Sequence, residues 1–349
     1  MTSAPDPPFV VGVDSGGSGL RVALGTVDAV RPVRTTVCAE PVRTGADGID
    51  AGHLLEQLLP AVRGLLEQAG RPGAGVATAV VGAAGMATLG DQLRARLPGA
   101  LADALGVRRI ALAADAVTAY AGALGQRPGA VVAGGTGMIA LGTDLTSWRR
   151  ADGWGHLLGD SGGGAWIGRA GLDAAMRAHD GRRGGSPALL ARSEAAFGPA
   201  TGLPGLLYPR TDRPALLASF APEVGACAGE DEVAAGILRE AAAHIAGAAA
   251  AVCPRPAGPE PAGSDPVASD PAGFRPGDCE VALTGGLFRM GEPLLGPLRG
   301  ELARQIPQAR VVPAQGDPLH GALEIARALA GPGLRLPPHP SLLFVPGVT

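Results

Sequence analysis

Apolar residues in the first third of the chain occur either in short β-branched runs or at helical spacing. The runs at 9–14 and 20–27 flank a glycine-rich turn, which predicts a β-hairpin. Apolar residues recur at helical spacing over 53–68, and this predicts an amphipathic helix. The other elements predicted in this part are strands at 33–38, 75–81 and 108–112 and helices at 92–105 and 116–124.

The same order of elements begins again at residue 130. A strand at 130–133 runs into a second glycine turn, and apolar residues at 138–141 continue beyond it. Strand, glycine turn, strand and helices therefore occur twice, which predicts an α/β protein with two similar lobes, 9–125 and 126–320. Further predicted elements are a glycine-dense loop at 153–171, helices at 172–179, 188–205, 214–229, 231–252 (with Asp231 as N-cap), 293–305 and 321–330, and strands at 280–284 and 309–312.

Two segments are rich in proline and poor in residues that a core could bury. Residues 254–278 consist mainly of Pro, Gly, Ala, Ser and Asp, and we expect a mobile surface loop there. The tail at 331–349 is also Pro-rich, and the sequence does not decide whether its apolar segment 342–345 docks on the protein.

Composition narrows the classes of function. The net charge of -3 gives no long-range attraction for nucleic acid or an anionic membrane, so neither is expected as a partner. The chain has no Lys and no Asn, which excludes a Walker-type P-loop and lysine-centred catalysis. Its cysteines, Cys38, Cys227, Cys253 and Cys279, are far apart in sequence and predict a cytoplasmic protein with neither a disulfide framework nor a zinc site.

The clearest candidates for chemistry are three glycine turns that each follow a strand: residues 14–19, 134–137 and 285–286. Glycine lets successive backbone N–H groups converge on one point, and such a concavity binds phosphate without Lys or Arg. A hairpin needs glycine for its own geometry, so one turn alone is weak evidence. Three turns, two of which carry a hydroxyl (Ser18 and Thr136), favour a phosphate site.

Asp14 ends an otherwise apolar strand. A carboxylate there is unfavourable unless it lies at the carboxyl edge of the sheet, where α/β proteins bind ligands. A Mg²⁺ ion would balance the charge of this carboxylate together with that of bound phosphates. The alternative interpretation is an aspartate that only caps the turn.

Two further aspartates are candidates for binding a hydroxyl substrate. Asp115 follows the strand at 108–112 and is either a general base or a helix N-cap. Asp160 lies in the glycine-dense segment and can accept two hydroxyl hydrogen bonds. Trp154 in the same segment either lines a pocket or is buried in the core.

These motifs, in this order, resemble a known family. They read D-S-G-G-S-G-L-R at 14–21, A-A-D-A at 113–116, G-G-T-G at 134–137, G-W-G-H-L-L-G-D-S-G-G-G-A-W-I-G at 153–168 and T-G-G at 284–286. The set is similar to BadF-type ATPases and, within them, to N-acetylglucosamine kinases of the actin-like ATPase superfamily. The resemblance covers residues 9–330, and the block at 153–168 is its most specific part.

The resemblance implies two ribonuclease-H-like lobes with a central cleft that binds ATP, Mg²⁺ and a sugar. It also implies that the helix at 321–330 packs back on the first lobe. The roles it implies are Mg²⁺ binding for Asp14, phosphate binding for Gly16, Gly17, Ser18, Thr136 and Gly137, adenosine binding for Gly285 and Gly286, general base catalysis for Asp115, and sugar binding for Trp154, Gly155, Asp160 and Thr136.

The chain departs from the family pattern at three points. The basic residue usual in the first phosphate turn is Gly19 here, and Arg21 is a candidate substitute from another direction. The Glu that usually follows the loop aspartate is Ser161, and the Asn that grips the amino sugar is absent. Arg43, Thr44 or Asp47 stands in its neighbourhood. These departures affect the identity of the sugar more than phosphoryl transfer.

The sequence therefore predicts an ATP-dependent kinase for an amino sugar, with N-acetylglucosamine at its 6-hydroxyl as the leading candidate. One alternative is a BadF-type ATPase activator in electron transfer, which would need cysteines that bind a cluster between subunits. Another is a non-catalytic sugar sensor. A dehydrogenase is disfavoured because the first glycine turn opens a hairpin and not a helix. Whether the protein forms a homodimer is left open.

Overall fold

The computed structural model describes residues 7–17, 19–29, 31–45, 48–254 and 279–347. Ser18, and residues 255–278 of the expected loop, lie outside the described residues. The chain divides into two compact units. The first comprises the described residues within Met1–Arg127, Asp144–Trp148 and Pro313–Thr349, and the second comprises those within Pro128–Thr143 and Arg149–Val312. The first unit therefore includes residues 126–127, 144–148 and 313–320, which the predicted lobe limits assigned to the second.

Strands and helices are numbered along the chain. The strands of the first unit are β1 (Phe9–Gly16), β2 (Gly19–Thr26), β3 (Arg34–Cys38), β4 (Thr44–Gly45), β5 (Gly48–Ile49), β6 (Val76–Ala83), β7 (Arg109–Ala114) and β13 (Leu343–Phe344). Its helices are α1 (Ala51–Gln68), α2 (Met86–Leu89), α3 (Asp91–Leu105), α4 (Asp115–Leu124) and α12 (Pro318–Ala330). Six strands form a sheet in the order β13-β7-β6-β1-β2-β3, and β4 pairs with β5 separately.

The pairing of these strands mixes two directions. The predicted hairpin is confirmed, since β1 pairs antiparallel with β2, and β2 pairs antiparallel with β3. On the other side of β1, the strands β6 and β7 continue the sheet in parallel. The carboxyl ends of β1, β6 and β7 therefore meet at one edge, which is where α/β proteins bind ligands.

The second unit repeats this plan. Its strands are β8 (Gly129–Gly134), β9 (Met138–Thr143), β10 (Trp148–Asp152), β11 (Cys279–Thr284) and β12 (Ala309–Pro313), in the order β10-β9-β8-β11-β12. The terminal residues Trp148 of β10 and Pro313 of β12 belong to the first unit. The strand β8 pairs antiparallel with β9 and parallel with β11. The helices are α5 (Gly164–His179), α6 (Pro187–Phe197), α7 (Leu203–Leu207), α8 (Arg213–Ala218), α9 (Ala221–Cys227), α10 (Glu232–Val252) and α11 (Glu292–Gln305), with short 3₁₀ turns at Ala200–Gly202 and Gly286–Met290.

The long helix α10 agrees with its sequence signals. The Asp231 side chain accepts a hydrogen bond from the backbone N–H of Ala234, so it is the N-cap that the sequence predicts. Alanine, leucine and isoleucine side chains on one face of α10 are buried in the core of the second unit, among them Leu238 and Ile245. Small side chains let α10 approach the sheet and α11 closely.

The prediction of a loop over the whole glycine-dense segment was wrong. Part of it is helical, because α5 begins at Gly164, eight residues before the predicted start. The glycines of α5 are required by packing: a Cβ at Gly168 would clash with the carbonyl oxygen of Leu217, and one at Gly171 with Val224. The strand β10, just before this segment, was not predicted at all.

A disulfide bond corrects the cysteine prediction. Cys253, directly after α10, is bonded to Cys279, the first residue of β11, and both are buried. The two residues are 26 apart in sequence, but β11 pairs with β8 in the middle of the sheet and α10 packs on β8 and β9. Sheet topology brings the two sulfurs together, and spacing along the chain gives no sign of it.

The Pro-rich tail docks on the first unit. The strand β13 pairs antiparallel with β7, and Leu343 is fully buried. None of the helices in the described parts of the chain is long and apolar enough to cross a membrane.

The helix α12 fits against α4 and β1 through backbone contacts that leave no room for side chains. A Cβ at Gly12 in β1 would lie 2.6 Å from the backbone nitrogen of Leu323 in α12. A Cβ at Gly321 would clash with the carbonyl oxygen of Thr118, and one at Gly122 with that of Asp317. These contacts fix the start of α12 beside the carboxyl edge of the sheet.

We expect Gly321→Ala to destabilise the protein by about 2–3 kcal/mol, because the added methyl group forces α4 and α12 apart. The matched control is Gly64→Ala in α1, where a Cβ meets nothing within 4 Å. That change should stabilise the protein by about 0.5–1 kcal/mol through helix propensity. Urea unfolding measures both, and equal effects of the two changes would contradict the packing argument.

Candidate active site

Two of the predicted aspartates lie at the same edge of the first sheet. In the strand register, Asp14 of β1 pairs with Gly82 of β6, and Gly82 pairs with Ala113 of β7. Asp115 follows β7 directly and is the first residue of α4. Neighbouring strands are about 4.8 Å apart, so the ends of β1 and β7 are about 10 Å apart. The edge therefore presents two carboxylates, with the end of β6 between them.

Asp14 is held by an arginine on the neighbouring strand. Arg21 is its cross-strand partner, and the Nε and Nη2 atoms of Arg21 lie 2.9 and 2.5 Å from the same oxygen, Oδ2 of Asp14. The Nη1 atom of Arg21 lies 2.6 Å from Oδ2 of Asp317. Asp317 is the N-cap of α12 and accepts a hydrogen bond from the backbone N–H of His320. One guanidinium thus joins the end of β1 to the start of α12.

The electrostatics of this cluster follow from its partners. Partial burial acts to lower the pKa of Arg21, but its contacts with Asp14 and Asp317 outweigh burial and raise it. Burial likewise acts to raise the pKa of Asp317, but the hydrogen bond from His320 and the pair with Arg21 hold it below its ordinary value. Arg21 therefore stays charged, and Asp317 is ionised at neutral pH.

Asp115 is exposed at the start of a helix whose other residues are all buried. Its Oδ1 atom accepts a hydrogen bond from the backbone N–H of Ala116 at 2.9 Å. The N-cap position of α4 belongs to Ala114, so Asp115 is not the N-cap of the alternative interpretation. Its carboxylate is accessible from the sheet edge, as a group that acts on a bound substrate must be.

In the second unit, the glycine turn at 134–137 is tied to the start of α5. The backbone N–H groups of Gly164 and Ala165 donate to the carbonyl oxygens of Gly135 and Thr136, at 2.9 and 2.8 Å. Gly285, after β11, has a φ of 105°, and a Cβ there would clash with the carbonyl oxygen of Gly134. The two glycine turns of this unit are therefore in direct backbone contact.

A cavity opens beside these turns. It has a volume of about 470 Å³, and its lining includes Gly135, Thr136, Ala218, Gly286, Arg289 and Met290. This volume is within the usual range for small-molecule sites. Among the predicted nucleotide-binding residues, the structure brings Thr136 and Gly286 to this cavity.

The predicted sugar loop is organised by an aspartate that the sequence analysis missed. The carboxylate of Asp152 accepts hydrogen bonds from the backbone N–H groups of Asp160 and Ser161, at 2.6 and 3.0 Å. Both Asp152 and Asp160 have positive φ angles, of 61° and 55°. Since few non-glycine residues adopt this conformation, Asp152 holds the loop in an otherwise unfavourable shape. Its only sequence signal is its position directly before the G-W-G motif.

Asp160 faces the glycine turn. Its Oδ1 atom accepts from the backbone N–H of Gly155 at 3.2 Å, and a Cβ at Gly137 would clash with its carboxylate. Burial, with the nearby charge of Asp152, raises the pKa of Asp160 above its ordinary value. Trp154 is 62% exposed, with the guanidinium of Arg150 4.2 Å above its ring, so the buried-core interpretation of Trp154 was wrong.

The carboxylates described above suit some metal ions and not others. Among the described residues there is no group of three or more His, Cys, Asp or Glu side chains that could hold a metal by themselves. Mg²⁺ binds through one or two carboxylates together with substrate phosphates and water, and does not need such a cage. A single carboxylate, Asp14, beside a glycine turn fits that requirement, and it does not fit a structural zinc site.

Comparison with known proteins identifies the family of this chain. A model of the BadF/BadG/BcrA/BcrD ATPase family matches residues 11–326, and the chain belongs to this family. The family so matched is a family of ATPases.

Individual relatives add detail. The chain is 28% identical over 180 residues to an N-acetylmuramic acid/N-acetylglucosamine kinase of Clostridium acetobutylicum; the match covers 50% of this chain and 55% of that relative. It is similar to the crystal structure of a proposed N-acetylglucosamine kinase from Chromobacterium violaceum, with 28% identity, a TM-score of 0.64 and coverage of 91% and 99% of the two chains. A ROK family glucokinase of Streptomyces griseus shares the fold at 20% identity, with a TM-score of 0.53 and coverage of 91% and 99%.

Gly285→Ala tests the backbone contact between the glycine turns. We expect it to destabilise the protein by about 2–3 kcal/mol, because the methyl group meets the Gly134 carbonyl and the φ of 105° is unfavourable for alanine. Gly286→Ala is the control, since a Cβ there meets nothing within 4 Å. Thermal unfolding without ligand measures both. A stable Gly285→Ala protein would show that the two turns are not in contact.

The ion pair of Asp317 predicts a dependence of stability on pH. Its folded-state pKa is lowered, so its contribution is present above the ordinary value of 3.8 and is lost as the pH falls through the folded value. Asp317→Asn should lower stability at pH 7 by less than about 1 kcal/mol, because the side chain is 53% exposed. The deficit relative to wild type should shrink below pH 4. Denaturant unfolding at several pH values measures it, with the exposed Asp28→Asn as control; a deficit that grows in acid would contradict the assignment.

Proposed function

We propose that this protein is an ATP-dependent sugar kinase that phosphorylates an amino sugar, with N-acetylglucosamine at its 6-hydroxyl as the first candidate. The observation that carries the proposal is the pair of aspartates, Asp14 and Asp115, at one carboxyl edge in a member of an ATPase family. The names of the Clostridium acetobutylicum and Chromobacterium violaceum relatives support an amino sugar as the acceptor.

The finer description of the fold is part of this proposal. Each sheet has a strand, β1 or β8, with an antiparallel neighbour on one side and a parallel neighbour on the other. This pattern supports two ribonuclease-H-like lobes, which we propose act together in catalysis. A central cleft, a cytoplasmic location and a homodimer remain predictions.

The nucleotide is assigned to the glycine turns. The cavity beside Thr136 and Gly286 supports the binding of a nucleoside there, with Gly137 and Gly285 shaping the turns. Gly16 and Gly17 form the tip of the hairpin after Asp14, where a Cβ would meet nothing within 4 Å, so their backbone is open to a phosphate. Ser18 is assigned to the same role by its position in the motif.

Asp14 is assigned to Mg²⁺, directly or through water. When bound with the nucleotide, the ion would neutralise charge on the phosphates. The protein contributes a carboxylate whose second oxygen, Oδ1, lies outside the pair with Arg21.

The hydroxyl substrate is assigned to Asp115 and to the loop at 153–160. Asp115 would accept the proton of the sugar hydroxyl and orient it toward the phosphoryl group, because positioning supplies most of the rate enhancement in such reactions. Asp160, Gly155 and Trp154 would hold the sugar. An aromatic ring and a carboxylate suit the two kinds of surface that a sugar presents, its C–H face and its hydroxyls.

The electron-transfer alternative is disfavoured by the cysteines. Cys253 and Cys279 are bonded to each other, and Cys227 is buried. The remaining free cysteine, Cys38, lies in β3 and is half-buried. The sugar-sensor alternative rests on Ser161 and the missing Asn, and it predicts sugar binding without release of ADP.

The proposal is tested by a coupled assay of ADP release over N-acetylglucosamine, glucosamine, N-acetylmannosamine, N-acetylmuramic acid and glucose. Asp115→Asn should lower kcat by about 10²–10⁴-fold, because the hydroxyl loses its proton acceptor. Affinity for a non-hydrolysable ATP analogue should remain within a few fold, about 1 kcal/mol, of wild type. The matched control is Asp103→Asn, an exposed aspartate on α3. Full activity of Asp115→Asn would contradict the assigned base, and sugar binding without turnover by wild type would favour the sensor.

A further inference from the structure

Arg21 forms an ion pair with Asp14, the carboxylate proposed to bind the metal. All three guanidinium nitrogens of Arg21 donate hydrogen bonds to carboxylates: Nε and Nη2 to Asp14, and Nη1 to Asp317. The side chain of Asp14 is only 13% exposed, and that of Arg21 is 34% exposed. The pair is thus partly shielded from water, and its electrostatic interaction is stronger than that of a fully exposed pair.

This arrangement changes what Asp14 offers to a free metal ion. The guanidinium neutralises the charge of Asp14, and a divalent cation at Oδ1 would lie within a few ångströms of the positive charge of Arg21. Two like charges at such a distance repel, and the repulsion is stronger where water is partly excluded. Among the described residues, His, Cys, Asp and Glu side chains form no group of three or more that could hold the ion and offset this repulsion.

We propose that Arg21 is an internal counter-ion that prevents Asp14 from binding a free divalent cation, so that the metal enters only together with the nucleotide. The proposal rests on the proposed function, because it takes Asp14 as the metal-binding carboxylate. The negative charge of the triphosphate supplies the attraction that Asp14 alone does not provide. The metal and the nucleotide then bind with positive coupling, and each raises the affinity for the other.

The geometry distinguishes this role from a direct contact with phosphate. A phosphate-binding arginine would direct its fork at the glycine turn, as a substitute for the missing basic residue at Gly19. Here the guanidinium N–H groups donate hydrogen bonds to Asp14 and Asp317 instead. The pair with Asp317 also anchors Arg21 to the start of α12, so that moving it away would break contacts with two carboxylates. Arg21 is a positioning residue that acts through Asp14.

The test measures binding of Mn²⁺, as a paramagnetic substitute for Mg²⁺, to the protein without nucleotide. Electron paramagnetic resonance counts the free ion directly, so activity is not needed. We expect wild type to bind Mn²⁺ weakly, and Arg21→Met to bind it at least about tenfold more tightly. The double variant Arg21→Met, Asp14→Asn should lose this gain. Arg21→Lys keeps the charge and should bind as weakly as wild type. Arg34→Met is the matched control, because the Arg34 side chain donates to the Val33 carbonyl and forms no ion pair with a carboxylate among the described residues.

If the Arg21→Met variants fail to fold, a second measurement on wild type still tests the proposal. Addition of a non-hydrolysable ATP analogue should raise the affinity of wild type for Mn²⁺ strongly. The proposal is overturned if wild type without nucleotide binds one Mn²⁺ per chain stoichiometrically, or if Arg21→Met binds Mn²⁺ no more tightly than wild type. A phosphate-binding arginine would instead make the double variant Arg21→Met, Asp14→Asn bind the metal-free ATP analogue more weakly than Asp14→Asn alone, and that result would also overturn it.

These outcomes are separate from the test of the proposed function. A wild-type protein that phosphorylates no sugar contradicts the kinase assignment, whatever the Mn²⁺ measurements show. An active kinase whose Arg21→Met variant binds Mn²⁺ like wild type contradicts only the role of Arg21.

Discussion

Close approach of one backbone segment to another is the constraint on which both candidate sites depend. In the first unit, Gly122 and Gly321 let α4 and α12 meet without intervening side chains, and this sets Asp317 beside Arg21. In the second, Gly285 lies against the Gly134 carbonyl. Backbone atoms in contact are fixed more firmly than flexible side chains, so these glycines define the sites although they carry no functional group.

Local signals predicted the parts of the fold that local interactions determine. The hairpin of β1 and β2 follows from its glycine turn, and α10 begins directly after Asp231, its predicted N-cap. The start of α5 at Gly164 was hidden, because glycine lowers helix propensity while packing against Leu217 requires it. The disulfide was equally hidden, since it depends on where β11 enters the sheet.

The site shows the same division. The sequence predicted Asp14 at the carboxyl edge of a sheet, and the parallel pairing of β1, β6 and β7 brings Asp115 to the same edge. Their surroundings could not be predicted. Arg21 and Asp317 are 296 residues apart, and nothing near either residue indicates their contact. Asp152, eight residues before Asp160, was missed because its function is to accept hydrogen bonds from a backbone whose shape the sequence does not reveal.

The docking of the tail has a consequence for the solution behaviour of the protein. The strand β7 would otherwise end the first sheet with a row of unpaired N–H and C=O groups, which in many proteins recruits strands from other molecules. The strand β13 covers that row over two residues, and it is followed by Pro346, which cannot extend the pairing. The short strand therefore protects this sheet edge from pairing with strands of other molecules. We expect its removal to promote aggregation through the exposed edge of β7.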